Sequence, residues 1–280
     1  GKLQAAGYRP ECVIRGIGEY PAVREVYLAH LRQITQKLFC DLRTKNRPGI
    51  LYGIGVGPGD SKLLTVKAVE TIRNADMIIT PKTEKKEDSV AHHIATPYIS
   101  KKAEILPLVF QMVTDMEVVS KQWEENRRII EEKLDEGKNL VFLTLGDPML
   151  YSTYMYIFRA LKRTEYTVET IPGIPAFLGI ASYIGMPVTE WEENVLIIPA
   201  TADPEKIDRA LSAADNAVIM KVYKKFAFIQ EELRKHHMIK NAVMVSRAGL
   251  PDEIIERDLD SLPSDYRPNY LSTIIAKRGN

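Results

Sequence analysis

Short apolar segments alternate with amphipathic segments from residue 50 to the end of the chain. The strand-like segments are 50–56, 77–80, 140–145, 168–171, 195–198, 217–220 and 242–245. Helix-like segments lie between them, at 62–73, 118–136, 151–161, 175–184, 204–211 and 226–234. This alternation is typical of an α/β protein with mainly parallel sheets. The last two strand-like segments, 253–259 and 270–276, are joined by a turn-rich stretch, which predicts an antiparallel pair at a sheet edge.

The order of these segments predicts two tandem α/β domains, at 50–163 and 164–280. Residues 41–49, DLRTKNRPG, are polar and end in proline and glycine, and we interpret them as a linker. Residues 1–40 contain one helix-like stretch, which is too little to form much of a core alone.

Composition narrows the class of protein. The formal net charge is +1 and 45% of the residues are hydrophobic, so no basic excess indicates nucleic-acid binding. The longest weakly polar stretch, 175–188, is shorter than a membrane span, and no leader-type pattern is recognisable. Both cysteines, Cys12 and Cys40, precede the linker, which leaves no thiols after it for a disulfide framework or a cysteine metal cluster. We expect a cytoplasmic protein without a metal site.

The turn after the first strand-like segment is unusually rich in glycine. Residues 53–60 read GIGVGPGD. The glycine spacing differs from the dinucleotide-binding fingerprint, and the loop lacks the Gly-Lys-Ser/Thr ending of a phosphate-binding P-loop. Two interpretations stay open: a backbone that approaches a ligand closely, or a tight turn in which Asp60 or Ser61 caps the next helix.

Two further turns have the same arrangement of strand, small residues and helix. They are LTLGDPMLYSTY at 143–154 and ETIPGIPAFLG at 169–179. Ligands of open α/β sheets bind at the carboxyl ends of the strands. We therefore expect the three turns to contribute to one binding site.

GIGVGPGD, LGDPMLYSTY and IPGIPA together resemble the S-adenosylmethionine-dependent tetrapyrrole methylases, and the resemblance covers residues 49–277. Within that family, YSTY after Gly-Asp-Pro, the long charged helix before it and MPVTEWEENVLIIPA are most similar to enzymes that methylate carbon 20 of precorrin-2 or cobalt-factor II. The resemblance implies two α/β domains with S-adenosylmethionine in the crevice between them. It also implies a homodimer.

The same resemblance implies a set of cofactor-binding residues, carried over from the matching motifs: Pro58, Leu145, Gly146, Asp147, Leu150, Ser152, Thr153, Pro175, Ala176, Met220, Ala248 and Gly249. Met220 has an ordinary core position as its alternative. The substrate carries eight carboxylates, and Gly57 and Gly59 would shape its trough.

Four cations that follow predicted strand ends are candidates for binding those carboxylates: Lys82, Lys221, Lys224 and Arg247. A solvated surface position is the alternative for each. Asp60 and Tyr151 are candidates for handling the proton lost after methyl transfer, with a helix cap and a packed tyrosine as alternatives. Cobalt is expected only as part of the substrate. The adjacent pairs His92–His93 and His236–His237 point to different sides of a helix, which disfavours a paired metal site.

The head of the chain has a second resemblance. Residues 7–31, GYRPECVIRGIGEYPAVREVYLAHL, resemble the carboxyl-terminal end of the anaerobic sirohydrochlorin cobaltochelatases. This implies a fusion of a chelatase to the methylase, with most of the chelatase domain missing here and His30 on a helix surface. The fusion favours the route that inserts cobalt first.

Three alternatives remain at this stage. The fold could serve a sister methylase acting at another ring carbon, or an enzyme like diphthine synthase that methylates a protein side chain. A non-catalytic scaffold that docks the chelatase is a different class, and such a scaffold would not need to bind S-adenosylmethionine.

Overall fold

The computed structural model describes residues 25–26, 28–31, 33, 47–82, 89–110, 116–162 and 164–279, with the side chains of 82 and 116–119 left aside. The chain divides into two compact units, Gly1–Pro48 and Gly49–Asn280. In the first unit, all the described residues from 25 to 33 are helical and His30 is exposed, as expected. Cys12, Cys40 and most of the predicted linker lie outside the described residues.

The second unit contains two five-stranded sheets. The strands of the first sheet are β1 (Ile50–Gly55), β2 (Met77–Lys82), β3 (Glu104–Val109), β4 (Leu140–Thr144) and β5 (Thr167–Ile171). They lie in the order β3-β2-β4-β1-β5, and every neighbouring pair is parallel. All five residues of β4 are buried, since helices cover both faces of a parallel sheet. The α/β class is confirmed, and so is parallel pairing in this sheet.

Strand β5 lies in a different sheet from the one predicted. The predicted boundary near residue 163 places β5 in the second domain, yet β5 pairs with β1, so the first sheet continues to Ile171. The Tyr154 side chain contacts both β1 and β5. A Cβ on Gly53 would lie 2.0 Å from the Tyr154 ring, and the Tyr154 hydroxyl lies 2.9 Å from Thr170 Oγ1.

The second sheet contains β6 (Val195–Pro199), β7 (Asn216–Met220), β8 (Ala242–Ser246), β9 (Ile254–Glu256) and β10 (Ser272–Lys277), in the order β6-β7-β10-β8-β9. Only β6 and β7 pair in parallel, and the other three pairs are antiparallel, so the expectation of a mainly parallel sheet does not hold here. β9 lies at the edge, but β10 lies between β7 and β8 and does not pair with β9. Residues Ser272 to Ala276 of β10 are all buried, which explains its central place.

Seven α-helices connect these strands in the described part of the second unit: α1 (Val66–Arg73), α2 (Val90–Ala95), α3 (Met116–Asp135), α4 (Tyr154–Leu161), α5 (Ala176–Ile184), α6 (Pro204–Ala213) and α7 (Phe226–Lys235). The helical setting expected for His92 and His93 corresponds to α2, whose bounds were not predicted, and β3 was not predicted. Helix α5 ends at Gly185, whose φ of 68° is in the left-handed region that favours glycine. None of the helices in the described ranges combines the length and the apolar character needed to cross a membrane.

Apolar side chains fill both faces of each sheet. The first sheet has one core cluster around Ile54 and Ile78 and another around Phe142 and Tyr154. The main core of the second sheet packs α6 and α7 against it. Leu250, which follows β8, belongs to a core cluster of the first sheet, so the two halves share buried surface.

Candidate active site

The carboxyl ends of β1, β4 and β5 lie at one edge of the first sheet because the three strands are parallel neighbours. The turns after β1 and β4 are joined directly: Gly57 N donates to Gly146 O at 3.2 Å, and Gly146 N donates to Gly57 O at 2.8 Å. Gly57 and Gly146 have φ of 76° and 69°, a conformation that side chains disfavour. The turns after β1 and β4 are therefore in direct backbone contact.

The turn after β5 joins the same cluster. A Cβ on Gly173 would lie 2.2 Å from Gly146 O, and a Cβ on Gly55 would lie 2.5 Å from Gly173 N. Pro175 and Ala176 also lie beside Gly146, since a Cβ on Gly146 would be 3.9 Å from Pro175 Cα and 3.7 Å from Ala176 N. Glycine is needed here because three backbones touch.

The Asp147 carboxylate ties two of these turns together. Its Oδ1 accepts from Met149 N at 2.8 Å, and its Oδ2 accepts from Gly173 N at 3.0 Å. Hydrogen bonds to a charged acceptor are stronger than neutral ones. Asp147 therefore holds the turn after β4 against the turn after β5, a role that the sequence pattern did not indicate.

Contacts across the two halves bring the second sheet's turns to the same edge. β8 runs in the same direction as β6 and β7, because each of β7 and β8 is antiparallel to β10. A Cβ on Gly59 would lie 2.2 Å from Ala248 O and 2.7 Å from Gly249 C. Gly59, Ala248 and Gly249, which were predicted to share a site, therefore meet backbone to backbone.

Pro58 meets a helix that the sequence analysis did not connect with it. A Cβ on Gly179 of α5 would lie 2.9 Å from Pro58 Cγ. The proline ring thus packs on a bare patch of α5, and this contact holds the glycine-rich turn in place. Gly179 lies inside the quoted segment ETIPGIPAFLG, but nothing in its spacing identified Pro58 as its partner.

Asp60 is exposed and acts as a cap. Its carboxylate accepts from Lys62 N at 2.8 Å at the start of a short 3₁₀ helix, Ser61–Leu63. Asp60 therefore has the helix-capping role that its sequence position predicts as one of two possibilities. Ser152 is also used locally, since its Oγ accepts from Tyr154 N at 3.0 Å and lies 3.3 Å from Thr144 Oγ1.

Tyr151 and Lys221 approach each other across the two halves. The Lys221 Nζ lies 5.3 Å from the centre of the Tyr151 ring, and the Tyr151 hydroxyl lies 3.4 Å from Ile197 O. Both residues have positive φ, 51° for Tyr151 and 59° for Lys221. Strained backbone at non-glycine residues is concentrated at functional sites in proteins. Partial burial raises the pKa of the Tyr151 phenol, which favours its protonated form, and the hydroxyl donates to Ile197 O.

The other predicted cations are placed differently. Arg247 also has positive φ, 54°, but its Nε lies 2.5 Å from Asp252 Oδ2, and the guanidinium lowers the pKa of that carboxyl. Lys224 is exposed in the 3₁₀ turn Val222–Lys224. The Lys82 side chain lies outside the described residues. Asp252 is a partner that the sequence analysis missed.

Another missed residue is Glu253, which supports the turn after β8. Its Oε2 accepts from Gly249 N at 2.7 Å, and its other oxygen accepts from the Tyr183 hydroxyl of α5. Gly249 itself has φ of 71°. A carboxylate four residues beyond a glycine carries no recognisable pattern, so only the structure shows this support.

The predicted cofactor-binding apolar residues that follow or end the strands are partly buried: Leu145, Leu150, Pro175, Ala176 and Met220. Thr153 is partly buried beside them, at the start of α4. Apolar groups that leave part of their surface exposed suit the adenosyl part of S-adenosylmethionine.

Two α/β domains with these turns at their common edge define a class of enzyme. Residues 50–262 match the family model described as tetrapyrrole (corrin/porphyrin) methylases. The chain belongs to this family. Tetrapyrrole methylases use S-adenosylmethionine as the methyl donor, and one solved uroporphyrin-III C-methyltransferase was crystallised with S-adenosylhomocysteine.

Two curated relatives are similar to this chain over most of their length. The chain is 32% identical to cobalt-precorrin-2 C(20)-methyltransferase of Salmonella typhimurium, over 82% of this chain and 97% of that protein. It is 35% identical to the probable cobalt-precorrin-2 C(20)-methyltransferase of Methanocaldococcus jannaschii, over 81% and 96%. The solved structure of a cobalt-precorrin-4 methyltransferase superposes with a TM-score of 0.64 at 23% identity, covering 81% of this chain and 94% of that one, which confirms the fold.

Proposed function

We propose that this enzyme transfers a methyl group from S-adenosylmethionine to carbon 20 of cobalt-precorrin-2 or cobalt-factor II in cobalamin biosynthesis. The observation that carries the proposal is the identity of 32% and 35% to two proteins named for this reaction, over nearly their whole length. The alternatives of a protein methylase and a scaffold have no comparable support.

Methyl transfer from sulfur to carbon is an in-line displacement. The sulfur, the methyl carbon and the ring carbon must be aligned, and alignment alone lowers such barriers by up to about 7–11 kcal/mol. The new carbon–carbon bond forms as the sulfur–carbon bond breaks, and S-adenosylhomocysteine leaves. This chain's contribution is therefore the rigid placement of two bound molecules.

The cluster of glycine turns suits that task. Gly57 bonds to Gly146, Gly59 touches Ala248, and Asp147 holds Gly173, so the turns support one another. We propose that the turns after β4, β5, β7 and β8 hold the donor and that the GIGVGPGD turn borders the ring. Bare backbones permit a flat ring to lie close to the donor, because no side chains stand between them.

Lys221 and Tyr151 are the side chains that we propose to contact the substrate. The Lys221 ammonium is exposed beside the Tyr151 ring and forms no ion pair with the described residues. It can therefore bind a substrate carboxylate without breaking an existing ion pair. The protonated Tyr151 hydroxyl can donate a hydrogen bond to the substrate in exchange for its 3.4 Å bond to Ile197 O. Lys224 and Lys82 are further candidates for carboxylate binding. Arg247 would have to exchange its contact with Asp252 for one with the substrate.

The proton lost from the ring needs an acceptor. Asp60 is exposed and its carboxylate accepts one backbone N–H, which leaves lone pairs available. We propose Asp60 for this step rather than Tyr151, whose raised pKa opposes the ionised form that a base requires.

The setting of the enzyme is proposed from the resemblance. We propose a cytoplasmic homodimer, and we propose that residues 1–40 are the end of a cobaltochelatase domain fused to the methylase. The helical residues between 25 and 33 agree with the helix in that resemblance. Such a fusion would keep the cobalt-inserting step and the next methylation on one chain.

The experiment is direct. The protein is incubated with S-adenosylmethionine carrying a ¹³C-labelled methyl group and with cobalt-factor II, and the product is analysed by mass spectrometry and NMR. The expected result is one added methyl group at carbon 20. A methyl group at any other carbon refutes the proposed position and leaves the family assignment intact.

Lys221→Met tests the substrate contact. We expect KM for the tetrapyrrole to rise about tenfold, the effect of losing about 1.4 kcal/mol of binding, with little change in S-adenosylmethionine affinity. Lys206→Met, which changes an exposed lysine on α6, is the matched control and should leave KM unchanged. Equal effects in the two variants would show that net charge, rather than a contact at Lys221, is responsible.

A further inference from the structure

Three side chains that can bind a metal converge between α6 and α7. They are Asp208 on α6, Glu232 on α7 and His236, which directly follows α7. α7 begins after the carboxyl end of β7 and leads to the amino end of β8, so its last turn lies towards the opposite edge of the second sheet. The cluster is therefore separate from the proposed methyl-transfer site.

The three ligand atoms are close together. Asp208 Oδ1 lies 2.7 Å from His236 Nε2, and Glu232 Oε2 lies 3.6 Å from the same nitrogen. All three atoms lie within 4.8 Å of one another. Zinc bound at about 2.0–2.1 Å in tetrahedral geometry places its ligand atoms about 3.3 Å apart, so shifts of less than about 1 Å in most pairs would form the site.

Glu232 provides independent support for a cation. Its Oε2 has essentially no exposed surface and no hydrogen-bond partner, and the side chain is only 13% exposed. Its nearest cationic groups are His236 Nε2 at 3.6 Å and Lys235 Nζ at 3.9 Å, which is too far for a hydrogen bond. A buried carboxylate oxygen without a hydrogen bond costs free energy, and a bound cation removes that cost. The His236 side chain is 10% exposed, so two of the three ligands are held in place by packing.

Lys235 is the group that a metal must displace. Its Nζ lies 2.7 Å from Asp208 Oδ1 and 3.9 Å from Glu232 Oε2. The Lys235 side chain is 55% exposed and can turn into solvent, because lysine is a long and flexible side chain. Asp208 is 40% exposed, which leaves the site open on one side for a water ligand.

We propose that Asp208, Glu232 and His236 form a site for a divalent transition metal, with zinc as the expected ion, that ties α6 to α7. Two carboxylates and one imidazole are a ligand set that zinc accepts, and the three donors leave one position for water. The site is structural, since it lies away from the reacting groups, and it does not depend on the proposed methyl-transfer function. The proposal departs from the expectation of a protein without a metal site. For this part of the chain, that expectation considered only the adjacent pair His236–His237, whereas the partners of His236 are Asp208 on α6 and Glu232 one turn earlier on α7.

The adjacent His237 offers a matched control. It is exposed and has φ of 57°, and it is not one of the three ligands. The tag-free full chain is treated with a chelator and titrated with ZnCl₂ by calorimetry in the absence of tetrapyrrole. Co²⁺ then replaces Zn²⁺ as a probe, because its visible absorption reports coordination by protein ligands.

The wild-type chain should bind one equivalent of zinc and show the Co²⁺ absorption. His236→Gln should weaken zinc binding by about tenfold or more. Substitution of residues that only orient a metal ligand already causes a loss of about this size. His237→Gln should bind as the wild type does. Glu232→Gln keeps the shape of the side chain and should also weaken binding, so it decides the test if His236→Gln does not fold.

Three outcomes overturn the proposal. They are failure of the wild-type chain to bind zinc, binding by both His236→Gln and Glu232→Gln as tight as in the wild type, and an equal loss in His237→Gln. Methyl-transfer activity is measured separately, and its presence or absence has no bearing on this test.

Discussion

Gly59→Ala tests whether close backbone contact between the two halves sets the geometry of the site. The added Cβ would lie 2.2 Å from Ala248 O and 2.7 Å from Gly249 C. Non-bonded carbon atoms rest about 3.5–4.0 Å apart, so the turns after β1 and β8 must separate by about 1 Å. The backbone of Gly59 is outside the left-handed region, so the effect comes from space and not from φ.

The expected cost has two parts. Overpacking of this kind lowers the free energy of unfolding by about 1–3 kcal/mol. A misplacement of about 1 Å between reacting groups lowers the rate by about a hundredfold. We therefore expect kcat/KM for methyl transfer to fall about a hundredfold, in a protein that remains folded.

Gly185→Ala is the matched control. Gly185 has φ of 68° and no atom within 4 Å of an added Cβ, so alanine there strains the backbone by about 1–2 kcal/mol without moving the site. Urea unfolding gives the stability of each variant, and initial rates with labelled S-adenosylmethionine give the activity. If the two variants lose stability to a similar degree and keep similar activity, the contact of Gly59 with Ala248 does not determine the site geometry.

Three more predictions concern other parts of the molecule. Asp147→Ala removes the acceptor for Met149 N and Gly173 N, so we expect a stability loss of about 2 kcal/mol and weaker S-adenosylmethionine binding by calorimetry, with Asp147→Asn intermediate; unchanged affinity would place the donor elsewhere. Arg278 donates to the carbonyl oxygens of Leu211, Ser212, Ala214 and His236, so Arg278→Ala should lower the urea-derived free energy of unfolding by about 2–3 kcal/mol, and an unchanged urea midpoint would contradict this. The hydrogen bond to Asp135 raises the pKa of Tyr166 to about 12 from an ordinary 10.0, so the unfolded chain ionises first and this contribution to stability is lost as pH rises from 10 to 12. Tyr166→Phe should lack that part of the pH dependence, and parallel stability curves for the two proteins would refute the assignment.

Most helices and strands follow from local patterns. The segments predicted at 204–211 and 226–234 correspond to α6 and α7, because apolar residues at helical spacing face the sheet. Asp203, whose carboxylate accepts from Glu205 N at 3.0 Å, caps α6 in the way its residue type favours. The strand β3 was missed because it is partly exposed and contains Pro107, so its pattern is weak.

The pairing of strands did not follow from local patterns. An apolar segment shows that a strand is buried, but not which neighbour it joins. For this reason β5 was assigned to the wrong sheet and β10 to the edge, although each was recognised as strand-like. Long-range contacts decide such pairings, and one that joins β1 to β5 is Tyr154, whose ring packs on Gly53 and whose hydroxyl lies 2.9 Å from Thr170 Oγ1.

The candidate site divides in the same way. The sequence determined the glycine turns after β1, β4 and β5, because glycine at positive φ and strand–turn–helix order are local properties, and parallel strands bring such turns to one edge. The tertiary structure decided which groups meet there: Gly59 with Ala248, Pro58 with Gly179, Tyr151 with Lys221, and the Asp147 carboxylate with Gly173. These contacts join residues that are distant along the chain, and only the packing of the second sheet against the first brings them within reach.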